Sequence, residues 1–434
     1  MNLVAEPSSP QSPTGWEMKS IGDVFNVVER AVKMDSEQQY RRVTVKRRHG
    51  GIELRDIQRG ADIKVKSQFL IKAGDFLISE RQVVHGACGI VPPELEGALV
   101  SNEYLVLEAR KSFDANYFNY LVQLQKYAKL FLLCSQGVDI EKFLFKPQDW
   151  LKKEIPVPPF FEQQKIAAIL TSADEKLDVI GRQVEATRIL KRGLMQTLFS
   201  RGVGSQEADG RWVPHAEFKD SELGEIPAGW GVATLDSLSE SITVGIATST
   251  TEYYVDDGVP LVRNQNIRED FLDMTDLLKI SREFDEKNRS KRVREGDILT
   301  VRTGYPGVSC VVPGGLGRLQ SFTTLITRPS RELINPYFVS HYFNSPKGKE
   351  LMLHQAAGGA QQNINAGNLR KLLVPVPSLA EQQRLVEILQ VVDNKYRSLM
   401  SKKERYQELK RGLMQKLLTG EWRVKLEVTE PVAA

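Results

Sequence analysis

Residues 155–200, IPVPPFFEQQKIAAILTSADEKLDVIGRQVEATRILKRGLMQTLFS, and residues 374–419, VPVPSLAEQQRLVEILQVVDNKYRSLMSKKERYQELKRGLMQKLLT, are two versions of one segment. They align without a gap, because Glu162 and Glu381, like Lys191 and Lys410, stand 219 positions apart. Glu-Gln-Gln recurs at 162–164 and 381–383, and Lys-Arg-Gly-Leu-Met-Gln at 191–196 and 410–415. Chance does not give in-register matches of this length, so an internal repeat sets the architecture. In the first copy Ile166, Leu170, Ala173, Leu177, Ile180, Val184, Leu194 and Leu198 follow a spacing that alternates four and three, interrupted by Thr187 and Lys191. In the second, Leu385, Leu389, Val392, Tyr396, Leu399, Tyr406, Leu413 and Leu417 do the same, interrupted by Lys403 and Lys410. Such a stripe is the seam of a coiled coil. Pro158, Pro159 and Pro377 stand where a first helical turn tolerates proline. The pattern predicts helices of roughly 38 residues, or about 57 Å each. Each helix could instead pack only on its own globular domain, but a stripe this narrow favours burial of the two seams against each other. Halves related by a pseudo-twofold axis would make the pairing antiparallel, with a variable domain at either end.

Upstream of each constant segment the two halves share only a skeleton. Gly15-Trp16 matches Gly229-Trp230, each behind a proline (Pro13, Pro227); Gly74-Asp75 matches Gly296-Asp297; Tyr117-Phe118 matches Tyr337-Phe338. Between these marks the halves differ almost completely. Short β-branched runs punctuated by Gly and Pro predict strands at Phe76–Ser79, 89–91, 104–107, Val259–Val262, 297–301 and 309–312, and helices over 116–133 and 335–353. The expected fold is α+β, with two mixed α/β target-recognition domains and two long helices in an antiparallel coiled coil. The expected boundaries are a polar tail at 1–14, a first domain at 15–155, a constant helix at 156–200, a linker at 201–226, a second domain at 227–374, a second constant helix at 375–419 and a tail at 420–434.

Composition agrees with a globular chain of two or three domains: 434 residues, 41% hydrophobic and 26% charged. Fifty-nine Lys and Arg against fifty-five Asp and Glu leave a net charge of +4, so nucleic-acid binding would depend on where the cations sit. Cys88, Cys134 and Cys310 lie far apart, without a metal-ligand or disulfide spacing, and read as reduced thiols. The five histidines (His49, His85, His215, His341, His354) also lack metal-ligand spacing. Neither a signal-peptide pattern nor a membrane-spanning apolar run is legible.

No catalytic constellation is legible either. There is no GxxxxGK[ST] phosphate loop. The nearest approach to an amino-methyltransferase motif, Asn335-Pro336-Tyr337-Phe338, lacks the second proline and reads as a helix start. Basic and amide-bearing clusters carry more. Arg41, Arg42, Lys46, Arg47 and Arg48 put five cations in eight residues, followed by His49. Such a run neutralises phosphates, and Arg can grip guanine edges; a solvated edge strand is the plainer alternative. Arg263, Asn264, Gln265, Asn266 and Arg268 follow a strand and offer the side chains that pair with adenine and guanine, although Asn also serves ordinary turns. Lys287, Arg289, Lys291, Arg292 and Arg294 suit phosphate positioning. After the Gly-Asp marks, Arg81, Gln82 and His85 correspond to Arg302, Thr303 and Tyr305. The amide-rich loop carrying Gln361, Gln362 and Asn363 corresponds to the stretch with Gln136.

Variable domain, Pro-Val-Pro, Glu-Gln-Gln, long helix and Lys-Arg-Gly-Leu-Met-Gln, all given twice, resemble the specificity subunit of a Type I restriction-modification system. The segment from Phe218 to Trp230 resembles that family's entry into its second target-recognition domain, and Leu417 to Trp422 its carboxyl end. The resemblance covers roughly residues 13–425. It implies a non-catalytic, cytoplasmic DNA-binding subunit in which each variable domain reads half of a bipartite site on double-stranded DNA and the helices set the gap. It also implies two copies of a methyltransferase subunit, with restriction/translocase subunits, as partners. S-adenosylmethionine, ATP and Mg would sit on those partners, leaving no cofactor or metal on this chain. A DNA-independent scaffold and a self-contained modification enzyme are the rival classes.

Overall fold

The computed structural model describes residues 13–140, 143–356 and 363–424. The chain divides into two compact units: one runs to Ile180 and resumes at Lys402, and the other is Gly181–Ser401. Each unit therefore holds one variable domain, half of one long helix and half of the other.

In the first unit Phe25–Val27, Tyr104–Ala109, Phe76–Ser79 and Cys88–Ile90 lie side by side in that order, every pairing antiparallel. In the second, Ser239–Val244, Leu325–Pro329, Ile298–Thr300 and Ser309–Val311 repeat the same order of first, fourth, second and third strand. A second sheet in each unit carries the divergence. In the first it has four strands around Gln39–Val45, which pairs in parallel with Leu99–Ser101; in the second it has three around Tyr254–Val262, parallel to Gln320–Ser321.

The Gly-Asp marks are turns. Gly74 and Gly296 sit at φ +87° and +84°, where a Cβ is disfavoured. Their neighbours Asp75 and Asp297 are buried and gripped through two hydrogen bonds each by Arg30 (2.6 and 3.0 Å) and Arg328 (2.8 and 2.7 Å). The two arginines come from different places in their domains, so the same need is met by unrelated sequence. The predicted single helices are each broken in two, at Ala115–Leu121 and Gln125–Leu133, and at Pro336–Asn344 and Pro346–Ala356. In the second pair the cause is Pro346, which holds Ser345 extended (φ −69°, ψ 160°). Asn335 caps the first of these helices with Pro336 in its first turn, as the Asn-Pro reading required. The predicted linker contains two short antiparallel pairs, Ser205–Gln206 with Trp212–Val213 and Phe218–Lys219 with Ile226–Pro227.

The Pro-Val-Pro segments are strands. Glu154–Val157 pairs with Glu17–Ser20, and Leu373–Val376 with Gly231–Thr234, so each variable domain is closed where the chain leaves it for the helix. Glu-Gln-Gln then locks the junction. Glu162 accepts from Trp16 Nε1 (3.2 Å) and from two nitrogens of Arg423 (both 2.8 Å). Glu381 accepts from Trp230 Nε1 (2.8 Å) and from the backbone amides of Val203 (2.9 Å) and Gly204 (3.2 Å). The next residue does equivalent work in both copies: Gln163 accepts from the amide of Asp114 (2.8 Å) and Gln382 from that of Asn335 (2.7 Å), so each of these helix-capping residues is tied to a long helix. Gly-Trp and Glu-Gln-Gln recur together because they bind each other.

The long helices are Phe160–Arg201 (42 residues) and Leu379–Leu418 (40 residues), slightly longer than the pattern predicted. Not one position of the four-three stripe is exposed in either helix. Ile166 and Leu170 share a core with Leu413 and Leu417 in the first unit, and Leu194 and Leu198 with Leu385 and Leu389 in the second. The start of one helix meets the end of the other in each unit, which makes the pairing antiparallel. The helix ends are also built into the domains: Leu417 and Leu418 belong to the core containing Trp16, Phe118 and Trp150, and Met195, Leu198 and Phe199 to the core containing Trp230, Phe338 and Tyr342. Packing on a domain and pairing with the other helix are thus both realised, on different stretches of one stripe.

Candidate nucleic-acid interface

In the first unit the basic run occupies a hairpin, Gln39–Val45 against Ile52–Arg59, and the turn after Val45. Its register decides which cations are tied down within the sheet. Arg42 is held by Asp56 through two hydrogen bonds of 2.8 and 2.7 Å, and its guanidinium keeps the Asp56 carboxyl below its ordinary range. Lys46 pairs with Glu53 at 2.6 Å, and Arg41 donates to the carbonyls of Glu94 and Glu96. Arg48 and His49, by contrast, sit in the turn at φ +58° and +54°, a conformation non-glycine residues rarely adopt. Their amides donate to the carbonyls of His85 (2.7 Å) and Gly86 (2.8 Å), which hold the turn in place. Gly86, at φ +75°, disfavours a side chain, and a Cβ there would come 3.0 Å from His49 Nε2. Arg47 Nε donates to Gln82 Oε1 at 2.8 Å. Arg47, Arg48, His49 and His85 line one open cleft of about 340 Å³. Burial, aided by the charge of Lys410, lowers the His49 pKa. Of the other expected contacts, Arg81 is exposed and paired with Glu103 at 2.6 Å, and Gln136 is exposed on a short strand paired with Leu144–Phe145.

The second unit uses amides. Asn264–Asn266 forms a turn in which the buried Asn266 accepts from the amide of Arg263 (3.0 Å) and donates to the carbonyl of Thr275 (3.3 Å). Asn266 thus shapes the loop. Asn264 Nδ2 donates to Thr303 Oγ1 (3.2 Å), Tyr305 Oη donates to the Asn264 carbonyl (2.8 Å), and Arg302 Nε donates to Asn363 Oδ1 (3.1 Å). Asn264, Arg302, Thr303, Tyr305 and Asn363, distant in sequence, therefore form one surface. Gln265 is exposed beside it, Arg263 reaches the Asp276 carbonyl at 3.4 Å, and Arg268 is exposed 3.8 Å from Asp273. Gln361 and Gln362 lie outside the described residues. The run from Lys287 is largely answered by acids: Lys287 by Glu283, and Arg292 by both Asp285 and Glu286 at 2.6 Å.

Sequence reasoning missed a buried polar cluster next to this surface. Lys191, one of the residues that interrupt the seam, turns inward: its ammonium lies 2.9 Å from Asp270 and 2.6 Å from Asp393, with the lysine side chain 14% exposed. His341 Nδ1 is 3.0 Å from Asp270, and Ser340 Oγ and Asn344 Nδ2 donate to the other carboxylate oxygen at 2.8 and 2.7 Å. Burial alone would raise the Asp270 carboxyl, but His341 and Lys191 hold it well below the ordinary range; burial does raise Asp393, against the pull of Lys191. Asp270, His341 and Asp393 present donor atoms within 4.8 Å of one another, as a divalent metal requires. The Lys191 ammonium, however, already supplies a cation there. In the first unit the matching lysine, Lys410, pairs with the matching aspartate, Asp174, at 2.5 Å, and Tyr120 donates to the same carboxylate at 2.9 Å. A lysine interrupting an apolar seam was the one legible signal; its partners lie 79 and more residues away.

The family model for the Type I restriction modification DNA specificity domain matches twice, over residues 13–186 and 227–411. A putative type I restriction enzyme MjaX specificity subunit from Methanocaldococcus jannaschii is 26% identical over 439 residues, covering 95% of both chains. The EcoBI specificity subunit of Escherichia coli is 25% identical over 291 residues, 62% of this chain and 60% of that one. In fold, the chain is similar to the Type-I restriction-modification system S subunit from M. genitalium, with a TM-score of 0.57 at 14% identity over 94% of this chain and 99% of that one. It is also similar to a chain from a structure of complex assembly and conformational transition in the type I R-M system, with a TM-score of 0.51 at 16% identity over 95% and 100%. Two matched domains in a chain with the antiparallel helices and repeated sheet described above place it in the Type I restriction-modification specificity subunits, the DNA-recognition and non-catalytic members of that system.

Proposed function

We propose that this chain recognises a bipartite, asymmetric site on double-stranded DNA, one half per variable domain, and directs methyltransferase and restriction subunits to it. The observation that carries the reading is a contrast between two kinds of surface. The reading surfaces share nothing: a cleft of Arg47, Arg48, His49 and His85 in one unit, and a surface of Asn264, Arg302, Thr303, Tyr305 and Asn363 in the other. Two unlike surfaces imply two unlike half-sites. The outward faces of the constant helices instead share a set of identical residues. Glu185, Leu190, Arg192, Gly193 and Gln196 are exposed, and so are their identical counterparts Glu404, Leu409, Arg411, Gly412 and Gln415. Leu190 and Leu409 are 54% and 53% exposed, and a Cβ at Gly193 or Gly412 would meet nothing within 4 Å. Packing within the chain does not require these identities, and exposed positions ordinarily tolerate substitution. Two like faces suit two copies of one partner, the methyltransferase subunit.

In this reading S-adenosylmethionine, ATP and Mg reside on the partner subunits, and this chain contributes binding alone. Among the described residues no helix is long and apolar enough to cross a membrane. A subunit that reads chromosomal DNA works in the cytoplasm beside it. The test is methyl transfer by the assembled complex to a duplex library with randomised sequence and spacing. Two conserved blocks separated by a fixed gap are expected, and exchange of residues 230–373 should change one block only. Methylation without sequence preference, or one continuous block, would overturn the reading. Within it, Asn264→Ala should lower discrimination at one half-site and Arg47→Ala at the other, each good base contact being worth about 1–3 kcal/mol.

A further inference from the structure

The geometry points to Asp270 as a positioning residue for base recognition by the second variable domain: it clamps the reading loop to both long helices, a carboxylate fastening with no equivalent among the described residues of the first domain's reading turn. The proposal rests on the reading of that domain as a DNA reader.

Asp270 occupies the turn between the short paired strands Ile267–Arg268 and Phe271–Leu272, at φ +59°. Asn and Asp are among the few side-chain-bearing residues that tolerate this conformation. The reading loop runs directly into the hairpin. Asn264 and Asn266 precede its first strand, and the amide of Asp273, just past the second, donates to the Asn266 carbonyl at 2.8 Å. A displacement of Asp270 therefore moves Arg268 and, through the hairpin, Asn266 and Asn264.

The three side-chain donors to the Asp270 carboxylate, and the His341 ring that lies 3.0 Å from it, all come from outside the hairpin. Ser340, His341 and Asn344 project from the helix Pro336–Asn344, and Lys191 from the first long helix. The Lys191 ammonium simultaneously binds Asp393 on the second long helix. The backbone joins in, with the Asp270 amide donating to the Ser309 carbonyl at 2.9 Å. The carboxylate is 5% exposed, which removes water as a competitor for these donors. One side chain thus fixes the reading loop against the helices whose pairing Lys191 and Asp393 also secure.

Among the described residues, the first unit keeps the helix half of this device without a carboxylate clamp on its reading turn. Lys410 and Asp174 are the repeat equivalents of Lys191 and Asp393, but the third group there is Tyr120, on the helix Ala115–Leu121. The turn of Arg48 and His49 is held by backbone hydrogen bonds to its own domain. A carboxylate that ties the reading loop directly to the paired helices is accordingly a feature of the second domain.

The experiment uses the full chain assembled with its methyltransferase subunits and follows methyl transfer to duplex pools in which each half-site is randomised in turn. The half-site of the second domain is the one that changes when residues 230–373 are exchanged. Asp270→Asn keeps the side-chain size and the tolerated backbone while removing the charge. It should lower the preference for that half-site about tenfold, the scale of one lost base contact, and leave the other half-site and the gap unchanged. Ser340→Ala removes one of the three side-chain donors and should give a smaller loss at the same half-site. Asp174→Asn, on the unit without the reader fastening, should alter preference at neither. Wild-type preference in Asp270→Asn, or equal loss at both half-sites, overturns the proposal. If Asp270→Asn does not assemble, an unchanged preference in Ser340→Ala overturns it. A wild-type complex without any sequence preference would instead overturn the premise that the domain reads DNA.

Discussion

Glu381 shows how much one residue of a repeated motif can organise. Its carboxylate accepts from an indole and two backbone amides and lies 2.9 Å from His215 Nε2, all in the second unit, with two of these contacts buried and two half-buried. Glu381→Ala would strand those donors without water, and the cost should be about 3–5 kcal/mol in urea denaturation. Glu381→Gln, which keeps one acceptor oxygen, should lose distinctly less, and equal losses would show that the charge alone matters. The motif was legible because it occurs twice; its partner Trp230, 151 positions away, was legible only as a separate mark. The residues proposed to read DNA were harder to see for the same reason. Arg42 and Lys46 look like free cations in sequence, yet the hairpin register places Asp56 opposite Arg42, and Lys46 reaches Glu53. A slip of one residue would break both pairings. Asn264, Arg302 and Asn363 looked like three separate polar sites, and only the fold makes them one.

At the scale of the element, equal residues in equal positions are expected to contribute unequally. Lys191 neutralises carboxylates whose side chains are 5% and 13% exposed, whereas the Asp174 side chain facing Lys410 is 41% exposed. Lys191→Met leaves uncompensated charge in a dry site and should cost about 3–5 kcal/mol. Lys410→Met leaves a carboxylate that water can reach and should cost no more than about 1 kcal/mol. Equal destabilisation of the two variants in thermal melts would contradict this account. The glycines make the opposite case. Helical Gly costs roughly 1 kcal/mol relative to Ala, and space is open at both Gly193 and Gly412. Gly193→Ala and Gly412→Ala should therefore each stabilise the isolated chain by about 0.5–1 kcal/mol. Gly193→Phe should leave its melting temperature intact and weaken capture of the methyltransferase subunit, measured by titration of the purified partner. The helices themselves were the most legible part of the molecule, since a four-three stripe survives any change in its surroundings. The breaks in the shorter helices were not: Pro346 announces one, but nothing local in Val122–Leu124 announces the other.

For the whole molecule, under the function proposed, the helices act as a measure of length. Both are continuous, and each contributes one half to either unit, with the division after Ile180 in the first helix and after Ser401 in the second. An insertion near Leu198 would disrupt the core of the second unit, where Leu198 and Phe199 are buried. Insertion of four residues after Ile180 together with four after Ser401 avoids this, because each unit keeps its own paired helical segments. Gly181 has no neighbour within 4 Å of a Cβ, so the chain tolerates added side chains at that point. The extra turn adds about 6 Å to each helix and rotates the helical segment beyond it by roughly 40°. DNA rises about 3.4 Å per base pair, and one pair turns it by about 34–36°. A gap longer by one pair nearly matches the added rotation, and a gap longer by two more nearly matches the added length. The preferred gap should therefore grow by one or two pairs while both half-site sequences stay as they are, since no reading residue has moved within its unit. Methylation of duplexes carrying both half-sites at every spacing measures this directly. A preferred gap unchanged by the insertion would mean that the domains are held to their half-sites by something other than the helices.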